Sequence, residues 1–518
     1  MNIIDKTIGF FSPQTAVQRI SARRKLEILN TGYSNHGASK TKQSMRGWMF
    51  KGGSTKEDID DNLSTLRQRS RDLYMGAPIA TGALKTMRTN VVGSGLKLKA
   101  YIDHKYLGMS EDEAAEWEEN TEREFALWAD SINCDAQRMN NFYELQAIAF
   151  LSWLMSGECF ALLPYIKREN MPYDIRVMLI EADRISDPNR KENRKIINGV
   201  EIGKYGEVVA YYLQNTHPLS KSSEQKQWMR IEKFGPKTGR PNILHLMEAE
   251  RPEQRRGVPI LAPVIESLKQ LSRYSEAELM AAVVSGMFTV FIESSGTPEN
   301  EPMFGQMVPE SESVQTEEER EYNYEMGPGA IVALGEGEKA NIANPGRPNS
   351  AFDGFVTSIC RQIGTALEIP FELLIKHFSA SYSASRAALL EAWKMFRMRR
   401  TWMANDFCQP IYEEFLAEAV AKGRIYAPGF FNDPMVRKSY CGAVWNGPSQ
   451  GQIDPLKEVE AAKRRVEQGF STRAKETMEL TATDFYANVR QRSREERLME
   501  EGGLKNNGIL ENQKSSRE

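Results

Sequence analysis

Residues able to do chemistry are sparse in this sequence. Five histidines (His36, His104, His217, His245 and His377) and five cysteines (Cys134, Cys159, Cys360, Cys408 and Cys441) serve 518 residues. His377 sits beside Ser379 and Ser381, the side-chain types of a base and a nucleophile. A loop of small residues does not hold such a pair in register without a supporting shell, so no catalysis is expected there. Glu317, Glu318 and Glu319 are neighbours on an irregular stretch. They do not face one another across a substrate, and read as a solvated charge run. Gly93-Ser94-Gly95 lacks the rest of a GxGxxG loop, and Leu96–Tyr101 alternates like a strand where a phosphate site needs a helix. The sequence contains no GxxxxGK[ST], HExxH or GxSxG motif, no zinc-ligand spacing and no kinase signature. No catalytic residue, metal ligand or cofactor is expected.

Whole-chain numbers narrow the class. Lys and Arg total 67 against 70 Asp and Glu, a net charge of −3, and 41% of residues are hydrophobic. That excludes a disordered chain and a generally polybasic coat for nucleic acid. At roughly 100–200 residues per domain, the length suggests about three domains or one elongated subunit. An odd, scattered cysteine set without CxxC points to reduced thiols in a cytosolic setting. Met1–Lys6 shows no apolar leader core. The most apolar run, Leu145–Ile166, is broken by Gly157 and Pro164 and carries one charge, Glu158. It reads as a buried helix followed by a strand, not a membrane span.

The elements follow from periodicity. Residues 1–56 hold ten Lys/Arg against Asp5 and Glu27, a +8 arm suited to nucleic acid or an acidic neighbour, or to solvent alone. Helices are expected over Ser64–Met75 and Ile79–Asn90, and after the capping box Ser110–Glu113. Strands are expected over Ile175–Ile180, Lys195–Ile202, Val208–Gln214 and Asn242–Leu246, with Ser220–Lys237 read as loop. A long helix runs from Pro259 to about Ser285, of which residues 260–284 span roughly 37 Å at 1.5 Å per residue. Phe288–Glu293 and Ala330–Leu334 read as strands. They flank a segment with nine glutamates opposed by Arg320, and Ala340–Pro348 is turn-like. A second helix opens at the capping box Ser350–Asp353 and stops before Pro370. A small-residue stretch, Lys376–Arg386, runs into a very long helix from about Ala384 to Ala421 that Pro410 should kink. Charged helices close the chain. The fold class is α+β, predominantly helical.

Several ordered motifs resemble lambda-type portal proteins of tailed bacteriophages. They are Leu66-Arg67-Gln68-Arg69-Ser70-Arg71-Asp72-Leu73, Asn90-Val91-Val92-Gly93-Ser94-Gly95-Leu96, and Arg256-Gly257-Val258-Pro259 before a long helix. The most specific are Ala366-Leu367-Glu368-Ile369-Pro370-Phe371-Glu372-Leu373-Leu374 and Ser381-Tyr382-Ser383-Ala384-Ser385-Arg386. The resemblance implies a portal fold: an α/β wing, a two-helix stem, an inserted clip, a tunnel loop and a helical crown, assembled as a ring of twelve subunits. The implied divisions are a flexible arm at 1–56, wing at 57–255 and 387–453, stem helices at 256–285 and 350–375, and clip at 286–349. The tunnel loop is 376–386, and crown and tail are 454–518. The implied partners are double-stranded DNA in the channel, terminase, capsid or scaffold proteins, and head-completion or tail adaptors, with no membrane. The implied location is one vertex of the virion, after assembly in the host bacterial cytoplasm. Lys376, His377, Ser379, Ser381, Tyr382, Ser385 and Arg386 are the expected DNA-facing residues. Glu310, Glu312, Glu317, Glu318 and Glu319 are the expected docking face of the clip. Arg397–Arg400 are read as subunit–subunit salt bridges. A DNA-cleaving enzyme and a monomeric adaptor are the alternatives.

Overall fold

The computed structural model describes residues 10–29, 38, 43–45, 48, 52–188, 195–221, 223–287, 291–294, 338–341, 351–378, 381–451 and 454–502. The chain divides into two units, Met1–Asp58 and Ile59–Glu518. The first contains helix α1 (Pro13–Leu29). The acidic stretch 299–325 and the expected strand Ala330–Leu334 lie outside the described residues.

The second unit opens with α2 (Leu63–Gly76) and α3 (Pro78–Val91). Proline at the first helical position of α3 costs no hydrogen bond, because that N–H has no helical partner. Its Ala80, Ala83, Leu84, Met87 and Val91 are buried at helical spacing. After β1 (Lys97–Ala100) comes α4 (Glu111–Ala129), opened by the expected capping box, with Ser110 and Glu113 each bonding the other's backbone N–H. Helix α5 (Phe142–Ser156) is capped the same way by Asn141 and Glu144, and ends at Gly157 with φ +86°.

The strands follow as β2 (Glu158–Leu162), β3 (Met178–Ile180), β4 (Ile196–Ile197), β5 (Val200–Ile202), β6 (Val208–Gln214), β7 (Trp228–Glu232) and β8 (Ile243–Met247). They form two antiparallel sheets, ordered β3-β2-β8 and β4-β5-β6-β7. Strand β7 corrects the expectation of a loop over Ser220–Lys237. It lies at a sheet edge with a mostly solvent-accessible face, so it needs no apolar alternation.

Helix α6 (Ile265–Met287) follows a short 3₁₀ turn, Ala262–Val264. Beyond it, β9 (Phe291–Ser294) pairs antiparallel with β10 (Glu338–Asn341), so Ala340 and Asn341 belong to a strand and not to the expected turn. Helix α7 (Phe352–Ala366) has Ala351 at its N-cap, one residue after the serine of the expected capping box. Ser350 lies outside the described residues. A short helix α8 (Phe371–Ile375) starts directly after Pro370.

The long helix is α9 (Tyr382–Met403), a π-helical segment (Ala404–Cys408) and α10 (Gln409–Ala421). Pro410 has no N–H to donate, and its ring crowds the carbonyl four residues back. The wider π turn just before it absorbs that conflict, so the predicted disruption takes the form of a π segment. Helix α11 (Pro434–Tyr440) leads to β11 (Ala443–Asn446), which pairs with β1 from the far end of the sequence. Three helices close the described chain: α12 (Pro455–Glu467), α13 (Arg473–Thr481) and α14 (Phe485–Glu501).

One large apolar core unites residues from Leu73 to Leu271 with residues from Cys360 to Trp445. Its centre is aromatic. Phe125 sits 5.2–5.9 Å from the rings of Phe142, Tyr412, Phe415 and Trp445, each edge-on. A smaller core, with Phe160, Ile180, Val200, Tyr211 and Ile243, lies between the two sheets. All five cysteines are unpaired and buried. Among the described residues, no helix is long and apolar enough to cross a membrane.

Candidate functional site

Helices α6 and α7 pack against each other. Tyr274 of α6 lies 5.5 Å from Phe352 and 4.9 Å from Phe355 of α7, and Leu268, Leu271, Cys360 and Ile363 are buried at their bases. Helix α7 ends in a tight reversal. Glu368 adopts φ +57°, and the Ile369 N–H donates to the Gly364 carbonyl at 2.9 Å. A Cβ at Gly364 would stand 2.6 Å from the Ile369 oxygen, so only glycine allows this closure. Pro370 then directs the chain into α8, and Lys376, at φ +55°, ends it.

The expected DNA-facing stretch divides at this point. Lys376 and His377 are exposed on the turn after α8. Ser379 lies outside the described residues. Ser381 is the N-cap of α9, its hydroxyl accepting from the Ala384 N–H at 3.4 Å. The helix therefore takes over at Tyr382, earlier than the sequence suggests. Ser385 and Arg386 sit half-buried in its first turns. The Tyr382 side chain and Glu310, Glu312, Glu317, Glu318 and Glu319 lie outside the described residues.

The basic residues that follow are largely committed within the chain. Arg400 donates to the carbonyls of Val91 (3.1 Å), Asn90 (2.8 Å) and Pro448 (2.9 Å), and stacks 5.4 Å from the Trp393 ring. Burial pushes its guanidinium down to about 10. Arg399 is buried, with Glu368 at 3.5 Å and Glu248 at 4.0 Å. Arg397 lies 4.0 Å from Glu479. Arg399 and Arg400 therefore spend their donors within the chain, whereas Arg397 stays more than half exposed. The helix brings Arg399 and Arg400 onto the face it turns to α3, where carbonyls at the end of α3 await donors.

The most highly charged buried feature was not expected. Glu158, fully buried at the start of β2, accepts from Arg67 of α2 (2.6 Å), Arg256 (2.8 Å), the Gly257 N–H (2.8 Å) and His245 of β8 (2.8 Å). Burial alone would raise its pKa, but Arg256, Arg67 and His245 together hold it well below the usual carboxylate range. Burial lowers the His245 pKa despite the adjacent carboxylate. Arg256 also binds the carbonyls of Ala182 (2.9 Å), Ile185 (3.1 Å) and Asn198, tying both sheets to the segment that launches α6. Gly157 and Gly257 touch backbone to backbone beneath this cluster, and a Cβ on Gly257 would stand 1.9 Å from the Gly157 oxygen. The sequence signal was present: a lone carboxylate in an apolar run, with arginines in two of the quoted motifs.

Among the described residues, no group of three or more His, Cys, Asp or Glu could hold a metal ion. The geometry is that of a scaffold: a braced helix pair, a tight turn and a solvent-facing cationic loop.

Comparisons with known proteins agree with that picture. The family described as "Phage portal protein, lambda family" matches residues 41–400. Portal protein B of Escherichia phage lambda is 24% identical over 495 residues, covering 92% of this chain and 91% of the relative. The portal protein of Escherichia phage N15 is 25% identical over 447 residues, covering 83% and 84%. The probable portal protein of Halomonas phage phiHAP-1 is 21% identical over 423 residues, covering 80% and 77%. Among solved structures, a chain in the virion of a native gene transfer agent particle is similar at TM-score 0.42 and 14% identity, covering 80% of this chain and 92% of that one. A chain from the neck of such a particle, computed with C12 symmetry, gives TM-score 0.42, 13% identity and the same coverage. The chain belongs to the lambda family of phage portal proteins, a structural and non-enzymatic component of the phage particle.

Proposed function

We propose that copies of this chain form a ring, of twelve subunits, at one capsid vertex, and that double-stranded DNA passes through its centre during packaging and ejection. The family match over residues 41–400 carries this reading, because it spans the paired helices α6 and α7 and the cationic turn. In this reading α6 and α7 are the stem (256–285 and 350–375), and 286–349 is the clip that docks terminase and later the head-completion or tail proteins. Residues 57–255 and 387–453 form the wing, with 454–518 as crown and tail.

Residues 376–386 contain the tunnel loop, which gives way to α9 at Tyr382. Lys376 and His377 are exposed, and Ser381 and Arg386 flank them. They suit weak, sequence-independent contacts to phosphate. A conduit must not grip its cargo. DNA carries one negative charge per about 1.7 Å of axis, and each phosphate neutralised adds salt-dependent affinity. A subunit with net charge −3, whose Arg399 is buried and whose Arg400 is held by carbonyls of its own chain, limits that grip.

Imaging purified protein by negative-stain microscopy tests the assembly. Rings with a central hole are expected, and a uniform population of monomers would overturn the reading in favour of an adaptor. His377→Ala with Tyr382→Ala should lower DNA packaging or retention while rings still form. Loss of rings in that variant would make the loop structural.

A further inference from the structure

The apolar cores stop at Trp445, and α12, α13 and α14 contribute no residue to either. Within these helices Ala462 and Glu476 are buried, while Leu456, Val459, Tyr486 and Val489 are exposed. The bidentate pair Arg465–Glu476, at 2.8 and 2.5 Å, ties α12 to α13. Against α9, however, these helices face a groove of about 250 Å³, lined in part by Leu389, Leu390, Ala461 and Leu480. Two ion pairs cross it: Arg386–Glu458 at 3.8 Å and Arg397–Glu479 at 4.0 Å. Lys99–Asp484 (3.7 Å) and Arg490–Glu119 (2.7 Å) join α14 to β1 and α4. Each cross-connection is solvent-accessible, where salt screens it.

Arg386 and Arg397 are eleven residues apart on one helix. At 3.6 residues per turn this places them on the same face, about 16 Å apart. Both belong to the helix that begins at the proposed DNA-facing turn.

We propose that Arg386 and Arg397 form a two-point anion site whose resting ligands are Glu458 and Glu479, and that DNA phosphates compete for it, releasing helices α12–α14 from α9. The latch itself stands on the geometry above. The choice of DNA as competitor rests on the channel reading. The apolar cores end before α12, so release of these helices uncovers little core surface. A phosphate oxygen is a better guanidinium acceptor than a carboxylate held at 3.8 or 4.0 Å.

Hydrogen exchange and limited proteolysis of the full chain test this. The conditions are about 0.1 M and about 1 M NaCl, where the screening length falls from roughly 10 to 3 Å, and low salt with a short DNA duplex. Salt and duplex should each speed exchange in 455–501 and cleavage in 447–454 several-fold, leaving α5 unchanged. Arg386→Gln with Arg397→Gln should be fast already at low salt in 455–481 and lose the salt response there, while 485–501 keeps the response set by Lys99–Asp484 and Arg490–Glu119. Swapping the charges, Arg397→Glu with Glu479→Arg, should restore salt-sensitive protection. Exchange in 455–501 indifferent to salt and to the double variant would overturn the latch. Duplex that binds, by mobility shift, without speeding exchange would overturn the competition. Duplex that does not bind at all sinks the channel reading and the competition with it, and the salt response alone then decides the latch.

Discussion

Arg67 and Glu158 are 91 residues apart in sequence, yet the arginine Nη2 lies 2.6 Å from the carboxylate in a site closed to solvent. Arg256 approaches the same carboxylate from the segment before α6. Two of the family-like motifs therefore converge on one buried anion, which fixes where α6 leaves the body. Removing that anion strands two buried cations, a loss of about 3–5 kcal/mol. Glu158→Gln, which keeps the shape, should lower the unfolding midpoint sharply in a urea or thermal melt. An unchanged midpoint would mean that the cluster is solvated in solution.

The same cluster sets an acid limit. Glu158 has a folded pKa below its ordinary value of 4.5, so its contribution is present above that value and fades as pH falls through the folded one. His245 is also depressed, from 6.5, so the unfolded chain takes up its proton first. Both effects weaken the fold in the same direction. Stability should start to fall below about pH 6.5 and fall further below about 4.5. Denaturation midpoints measured from pH 8 to pH 4 check this. Replacing His245 with Gln should remove the first step and leave the second.

Beneath the cluster, Gly157 has φ +86° and Gly257 has no room for a Cβ. Gly257→Ala should cost at least about 3 kcal/mol, since both obstacles are backbone atoms with nowhere to move. Soluble yield and urea midpoint report it. Gly354→Ala, where a Cβ meets nothing within 4 Å, is the control and should be neutral or mildly stabilising.

What the sequence revealed about this fold was chiefly local. The box at Ser110 and the stripe of Ile79, Ala83, Leu84 and Met87 act within a few residues, and sequence spacing records them. The fold class was legible for the same reason. The Glu158 cluster was not, because its partners come from three distant segments, and an arginine in a helix reads as surface until its carboxylate is found. The edge strand Trp228–Glu232 escaped because one face meets water. The direction of Arg399 and Arg400 escaped because a basic run on a helix gives no sign of which residues turn inward. Of the expected DNA-facing residues, Lys376 and His377 lie on the turn after α8 and Ser381 caps α9, while Ser385 and Arg386, which the resemblance assigned to the tunnel loop, lie on the helix. The serine N-cap at Ser381 explains the difference.

Lys376 offers a way to separate charge from conformation. It sits at φ +55°, a region glycine occupies without steric cost. Relief of left-handed strain, roughly 1–2 kcal/mol, exceeds the unfolded-state entropy that glycine adds, roughly 0.4–1 kcal/mol, so Lys376→Gly should be mildly stabilising, yet remove a cation from the proposed DNA-facing turn. The expected result is a higher melting temperature with lower DNA retention in assembled particles. Retention unchanged would remove Lys376 from the set of DNA contacts.

Arg397 and Arg400 test whether this basic run serves the subunit or its neighbours. Arg400 satisfies three backbone carbonyls from two segments, and a Cβ on Gly447 would stand 2.7 Å from its Nε, so the loop is moulded around it. Truncation strands those acceptors and empties the space over Trp393. Arg400→Ala should therefore destabilise the isolated subunit by about 2–4 kcal/mol. Arg400→Lys should recover only part, since one ammonium cannot reach three carbonyls in a planar fork. Arg397 is more than half exposed and holds Glu479 at 4.0 Å, so Arg397→Ala should change monomer stability by less than about 0.5 kcal/mol. Urea melts of the three variants, set beside the ring fraction from size-exclusion chromatography, distinguish the roles. Arg400→Ala rings that are lost without any loss of subunit stability would return that residue to the subunit interface.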